Sequence, residues 1–126
     1  MITLVSGGAA SGKSEYAENI SMSRKNGTLI YIATMMPYDS ECYKKIERHR
    51  EMRKEKGFLT LECPYDLKSI KCKDISKDST ILLECISNLL ANEMYDQNRC
   101  RENAVLEIVD GIRSLKGKCE NLVIVT

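Results

Sequence analysis

Several runs along the chain are apolar at almost every position, and stretches with apolar residues every three to four places separate them. Ile2-Thr3-Leu4-Val5-Ser6 predicts a short buried strand. Thr28-Leu29-Ile30-Tyr31-Ile32-Ala33-Thr34, Thr80-Ile81-Leu82-Leu83-Glu84-Cys85 and Leu122-Val123-Ile124-Val125-Thr126 predict parallel strands buried on both faces. Phe58 to Cys63 alternates as a shorter strand, closed by Pro64. Between them the spacing predicts a helix from Glu15 to about Arg24 or Lys25, ended by Asn26-Gly27 in a left-handed cap. It predicts a second from about Glu41 to Lys56, capped by Asp39 or Ser40 after Pro37 and stopped at Gly57. Tyr65 to Ser79 is polar, with one helical turn near Asp66 to Ser69. A third helix spans Ile86 to Asn98, with Ile86, Leu89, Leu90 and Met94 on one side. A fourth spans Glu102 to Lys116, with Val105, Ile108, Val109, Ile112 and Leu115 at helical spacing. Strands alternating with helices predict an α/β fold with a mostly parallel sheet and helices on both faces.

The helix over residues 41–56 is unlike the others. Lys44, Lys45, Arg48, Arg50, Arg53, Lys54 and Lys56 outnumber its acids, and its apolar side is little more than Cys42 and Ile46. So thin a stripe predicts weak anchoring in a core.

Between the first strand and the first helix lies Gly7-Gly8-Ala9-Ala10-Ser11-Gly12-Lys13-Ser14, which fits G-x-x-x-x-G-K-[ST] without mismatch. Glycines there let backbone N–H groups approach phosphate oxygens, and the following helix adds its unpaired N–H groups and positive dipole end. Lys13 is expected to reach the outer phosphates and the Ser14 hydroxyl to hold Mg²⁺. This setting predicts nucleoside triphosphate binding; a glycine-rich turn that matches by coincidence is the bland alternative.

The 126 residues, with a net charge of +1, predict one domain, residues 1–126, without a global field for nucleic acid or membrane. No apolar run is long enough to span a bilayer, and no basic leader precedes the first strand, so a cytoplasmic protein is expected. The six cysteines (Cys42, Cys63, Cys72, Cys85, Cys100 and Cys119) form no C-x-x-C pair and there is one histidine. Free structural thiols are expected rather than a zinc framework.

Two further residues carry candidate chemistry. Glu84 ends an apolar strand as the acid beside a phosphate loop does, where it holds Mg²⁺ directly or through water; otherwise it is a solvated strand end. His49 lies on the charged helix with Arg50 and Arg53 nearby, and is either a surface residue or a nucleophile toward phosphorus.

In this order, Gly7-Gly8-Ala9-x-Ser11-Gly12-Lys13-Ser14, Tyr31-Ile32-Ala33-Thr34, Arg48-His49-Arg50 and Leu82-Leu83-Glu84-Cys85-Ile86 resemble the bifunctional adenosylcobinamide kinase / adenosylcobinamide-phosphate guanylyltransferase family. The resemblance runs from Ile2 to Thr126. It implies a three-layer, P-loop NTPase-like (RecA-like) α/β/α fold that makes the nucleotide loop of cobalamin. Such an enzyme phosphorylates adenosylcobinamide with ATP or GTP. It then takes GMP from GTP onto a histidine and passes it to adenosylcobinamide phosphate, giving adenosylcobinamide-GDP. The family histidine falls on His49, making it the expected nucleophile with Lys13 as its catalytic partner. The nucleotide contacts fall on Gly7, Gly8, Ala9, Ala10, Ser11, Gly12, Lys13 and Ser14. Others fall on Ala33, Thr34 and Met35, on Arg50, Glu51, Met52 and Arg53, and on the acids Glu62 and Glu84. Mg²⁺ falls on Ser14 and Glu84.

In the family an Asn-Glu-Val-Gly segment and further elements follow the strand at 122–126. They complete the sheet and part of a trimer interface, so the chain is expected to be either a fragment or a shortened relative, with that strand as an exposed apolar edge. A plain P-loop kinase and a GTP-binding module without turnover are the rival readings.

Overall fold

The computed structural model describes residues 1–8, 11–24, 26–36, 39–71, 73, 75–96, 99 and 101–126. In chain order the elements are β1 (Ile2–Val5), α1 (Lys13–Ser23), β2 (Leu29–Ala33), α2 (Ser40–Glu55), β3 (Phe58–Glu62), β4 (Thr80–Glu84), α3 (Ile86–Tyr95), α4 (Ala104–Lys116) and β5 (Asn121–Val125). Single 3₁₀ turns occupy Leu67–Ser69 and Arg101–Asn103. The strands form one sheet in the order β1-β5-β4-β2-β3, and every pairing is parallel.

Alternate residues of the inner strands feed two separate cores, which is why their sequences are apolar throughout. Leu29, Tyr31, Leu82, Val123 and Val125 face α1, where Ala17 closes the layer. Ile30, Ile32, Ile81, Leu83, Leu122 and Ile124 face α3 and α4, meeting Leu89, Ile108 and Leu115. Helices on both faces make three layers. Leu67, Ile70 and Ile75, in the segment expected to be merely polar, are buried in this second core. Fully burying each such side chain contributes roughly 1.5–3 kcal/mol.

The structure corrects several expectations. The last strand is not an edge. β5 pairs with β1 on one side and β4 on the other, and β1 is the edge, leaving Ile2 and Leu4 exposed. The strand carrying Glu84 is accordingly separated from β1 by β5 rather than lying beside it. The buried face of α4 is Ala104, Ile108, Gly111 and Leu115, whereas Val105 and Val109 are exposed. Periodicity alone could not choose between these adjacent stripes, because both are apolar. Helix α1 ends at Arg24 with right-handed backbone, and the left-handed glycines are Gly12 and Gly57. Gly27 instead makes room: a Cβ there would lie 2.3 Å from the Asp78 carboxylate. Helix α3 ends at Tyr95; Asn98, the predicted end, lies outside the described residues, as do Lys25 and Pro37. Asp39 is the cap of α2, accepting from the Cys42 N–H at 2.8 Å. Cys42, Cys63, Cys85 and Cys119 are free thiols; Cys72 and Cys100 lie outside the described residues. No helix among the described residues is long and apolar enough to cross a membrane.

Gly111 shows how closely α4 approaches the Leu67 turn. A Cβ built on it would stand 2.5 Å from the Leu67 Cβ, an atom that cannot swing away. Gly111→Ala is therefore expected to destabilise the fold by about 1–3 kcal/mol, read as a lower urea midpoint, despite alanine's better helix propensity.

Candidate functional site

The carboxyl ends of the parallel strands open into one crevice, the place where doubly wound sheets bind ligands. Gly12 takes the left-handed conformation (φ 79°) that turns the loop after β1 into α1. A Cβ on Gly8 or Gly12 would meet nothing within 4 Å, whereas one on Gly7 would lie 2.7 Å from the Ser11 hydroxyl. The loop thus has a bare outer surface and a closed inner one. Lys13 and Ser14 are the first residues of α1. The Lys13 ammonium donates to the carbonyls of Gly7 (3.0 Å) and Thr126 (2.8 Å), which holds it at the mouth of the loop. Ala9 and Ala10 lie outside the described residues.

Ser14 meets Glu84 across the sheet. The Ser14 hydroxyl donates to Glu84 Oε2 at 2.5 Å, and Glu84 Oε1 is buried with no hydrogen-bond partner among the described residues. A buried carboxylate oxygen left in this way is costly unless a cation or donor serves it. Beneath it, the Tyr31 hydroxyl faces the same carboxylate. Burial first, and then the Glu84 charge, hold the phenol well above its ordinary pKa, so it stays protonated.

Thr34 holds the strand ends in register. It is fully buried; its hydroxyl accepts from the Cys85 N–H (2.9 Å) and donates to the Cys85 carbonyl (3.0 Å). Asn92 of α3, also buried, donates to the carbonyls of Thr34 and Pro64, each at 2.7 Å. A single amide thereby ties the ends of β2 and β3 to α3.

Helix α2 roofs the crevice. Its only buried side chain is Arg53, whose guanidinium lies 3.8 Å from the centroid of the Tyr31 ring and whose Nε has no hydrogen-bond partner among the described residues. The weak anchoring expected of this helix is thus answered by a stacked arginine rather than by an apolar stripe. His49, one turn earlier on the same face, lines two hollows. One, of about 250 Å³, lies against Ala33, Thr34, Met35, Glu62 and Asn88. The other, of about 200 Å³, lies between α1 and α2 against Ser14 and Met52. Arg53 and Glu84 border both. Partial burial, and then the cations of Arg53, Lys45 and Arg48, hold His49 below its ordinary pKa, against the opposing pull of Glu84. The imidazole is therefore neutral at pH 7. Arg50 pairs with Glu62 at 3.6 Å on the rim of the larger hollow.

Of the described loop contacts only Ser14 lines a hollow; Gly7, Gly8, Ser11, Gly12 and Lys13 line neither. Of the expected contacts outside the loop, Glu51 is the exception: it lines neither hollow and sits instead against β3 on the outer side of α2. Its position two residues after His49 puts it on the opposite helix face. Tyr31, Asn88 and Asn92 were not legible as site residues. Tyr31 reads as one more apolar position in a buried run, and the two asparagines as polar interruptions of a helix.

The family profile described as cobinamide kinase / cobinamide phosphate guanyltransferase matches residues 3–126. The chain is 36% identical to the bifunctional adenosylcobalamin biosynthesis protein CobU of Escherichia coli over 96 residues, which are 76% of this chain and 51% of that protein. It is 36% identical over 95 residues to CobU of Salmonella typhimurium, covering 75% and 51%. Against the bifunctional adenosylcobalamin biosynthesis protein CobP of Pseudomonas aeruginosa it is 33% identical over 93 residues, covering 73% and 52%. The chain spans about half the length of the curated relatives it matches. With the family profile matched by residues 3–126, nearly the whole of the chain, and with relatives 36% identical over about three quarters of it, the chain belongs to the cobinamide kinase / cobinamide phosphate guanyltransferase family.

Proposed function

We propose that the chain carries the nucleotide chemistry of its relatives: it phosphorylates adenosylcobinamide with ATP or GTP, and moves GMP from GTP through His49 to adenosylcobinamide phosphate. The observation that supports this reading best is the shared wall of the two hollows, where His49 stands with Arg53 and Glu84. Loop N–H groups from Gly7 to Ser14 and the Lys13 ammonium bind the phosphates. An imidazole nitrogen of His49 attacks the α-phosphorus as the bond to the β-phosphate oxygen breaks, and pyrophosphate leaves with the electron pair. Arg53 and Arg50 offset the charge that develops.

The residues fit Mg²⁺. Ser14 and the unpartnered Glu84 oxygen offer one hydroxyl and one carboxylate, the sparse set that this ion takes when phosphates and water complete its shell. Bound there, the ion would neutralise phosphate charge. By resemblance the working form is a trimer.

The test is incubation with GTP labelled at the α-phosphate, with Mg²⁺, followed by denaturation. Acid-labile, alkali-stable label on the protein is expected; its absence despite GTP binding would overturn the covalent step and favour a plain kinase. The pH profile should carry the lowered histidine pKa. Attack requires neutral imidazole, so labelling is held as pH falls to the ordinary histidine value of 6.5 and is lost only below it.

A further inference from the structure

Helix α2 carries the nucleophile of the proposed reaction yet has little to hold it in place. It runs beside β3, and Arg53 is its only buried side chain. The ion pairs Arg50–Glu62 (3.6 Å) and Lys56–Glu18 (2.6 Å) have half-exposed basic members, and pairs of that kind are screened and hold a helix weakly. Arg53 depends in turn on one residue of the sheet. Its guanidinium lies 3.8 Å from the centroid of the Tyr31 ring, and its Nε has no hydrogen-bond partner among the described residues, so the ring face receives it. Tyr31 is a fixed reference. It sits mid-strand in β2, opposite Thr60 of β3 and Leu82 of β4, and cannot shift without breaking the sheet. Phe58 meets its ring edge-on, with centroids 6.0 Å apart and planes at 88°. Its hydroxyl faces Glu84, the carboxylate that accepts from Ser14.

His49 lies one turn before Arg53 on the same helix face, so whatever fixes the guanidinium fixes the imidazole. Resting on the guanylyl-histidine reading, we infer that Tyr31 is a positioning residue for that reaction: its ring holds Arg53, and through it His49, at a set place relative to Ser14 and Glu84. Tyr31 itself touches no reacting atom. In-line attack at phosphorus needs such a hold, because a nucleophile displaced by about 1 Å loses on the order of 100-fold in rate. An aliphatic side chain would fill the same space but offer the cation no π face. The guanidinium would then be drawn to Glu18 or Glu84, which border the same hollow, and would pull α2 with it. A phenylalanine ring would serve nearly as well, since Phe58 still braces it.

Tyr31→Phe keeps the ring, and Tyr31→Met replaces it with a flexible apolar chain that packs into irregular space. The rate constant of label formation at saturating magnesium GTP and the affinity for GTP are measured for both. Tyr31→Met should lower the rate constant by about 100-fold, whereas Tyr31→Phe should stay within about threefold of the parent. GTP affinity should hold within about threefold in both, because the phosphate loop and Lys13 belong to the β1–α1 junction. An unchanged rate in Tyr31→Met, an equal loss in Tyr31→Phe, or affinity lost in step with rate would each overturn the inference.

A second measurement needs no covalent step. His49 is the only histidine in the chain, so its imidazole proton resonance can be followed against pH in the ligand-free protein. Partial burial, and then the Arg53, Lys45 and Arg48 cations, lower its pKa, and Glu84 opposes them. Releasing Arg53 in Tyr31→Met weakens the first two causes, so the pKa should rise toward its ordinary value of 6.5. In Tyr31→Phe it should stay lowered. A titration identical in Tyr31→Met and the parent overturns the hold of Tyr31 on His49, whether or not the histidine accepts GMP. If no protein takes label but the titrations shift as expected, the covalent reading fails and the hold of Tyr31 on His49 stands.

Discussion

His49→Ala is expected to lower covalent guanylylation by a factor of about 10³ or more, because a nucleophile has no partial substitute at its position. GTP binding should hold within about threefold, under roughly 0.7 kcal/mol. The contrast follows from where the histidine stands. Its imidazole lines the hollows beneath α2, while the loop N–H groups and Lys13 belong to the β1–α1 junction. His49 is exposed, so its removal leaves no cavity in either core. Parallel loss of label and of GTP binding would show that the residue serves the nucleotide rather than the phosphorus. Label that persists would place the nucleophile elsewhere.

Asn92→Leu should produce the largest stability change near the crevice, about 2–5 kcal/mol. It removes both donors of one buried amide and leaves the carbonyls of Thr34 and Pro64 unpaired in a dry environment. Leucine has a similar volume, so the loss reads on hydrogen bonding rather than on a cavity. The consequence extends to the site, since Thr34 itself fixes the Cys85 peptide and, through it, the end of the strand that carries Glu84. Denaturant unfolding gives the stability term, and GTP affinity measured well below the unfolding midpoint gives the loss of alignment. A variant as stable as the parent would mean that water or a rearranged loop satisfies both carbonyls.

Most of the scaffold was legible from the sequence because it rests on local rules. Runs such as Leu29–Ala33 and Ile81–Leu83 are apolar at successive positions only if both faces of a strand are covered, and the strands pair as that demands. The phosphate loop was legible because glycine spacing and the following helix are both short-range features. The exposed side of α4 was misread for a related reason. Val105 and Val109 have the right period, and only the arrival of Leu67 against Gly111 decides which stripe is buried.

By itself, then, the sequence determined an alternation of buried strands and helices, a phosphate loop at the first turn, and the residue types available for phosphorus chemistry. Tertiary structure alone decided which of these meet. It placed β5 between β1 and β4, brought Ser14 to 2.5 Å from Glu84 over a separation of 70 residues, and seated a charged helix by stacking Arg53 on Tyr31. It also made Asn92 the tie between three elements. Strand order and long-range polar contacts reflect how the helices divide between the two sheet faces. That division is a property of whole-chain packing, and no local window of residues contains it.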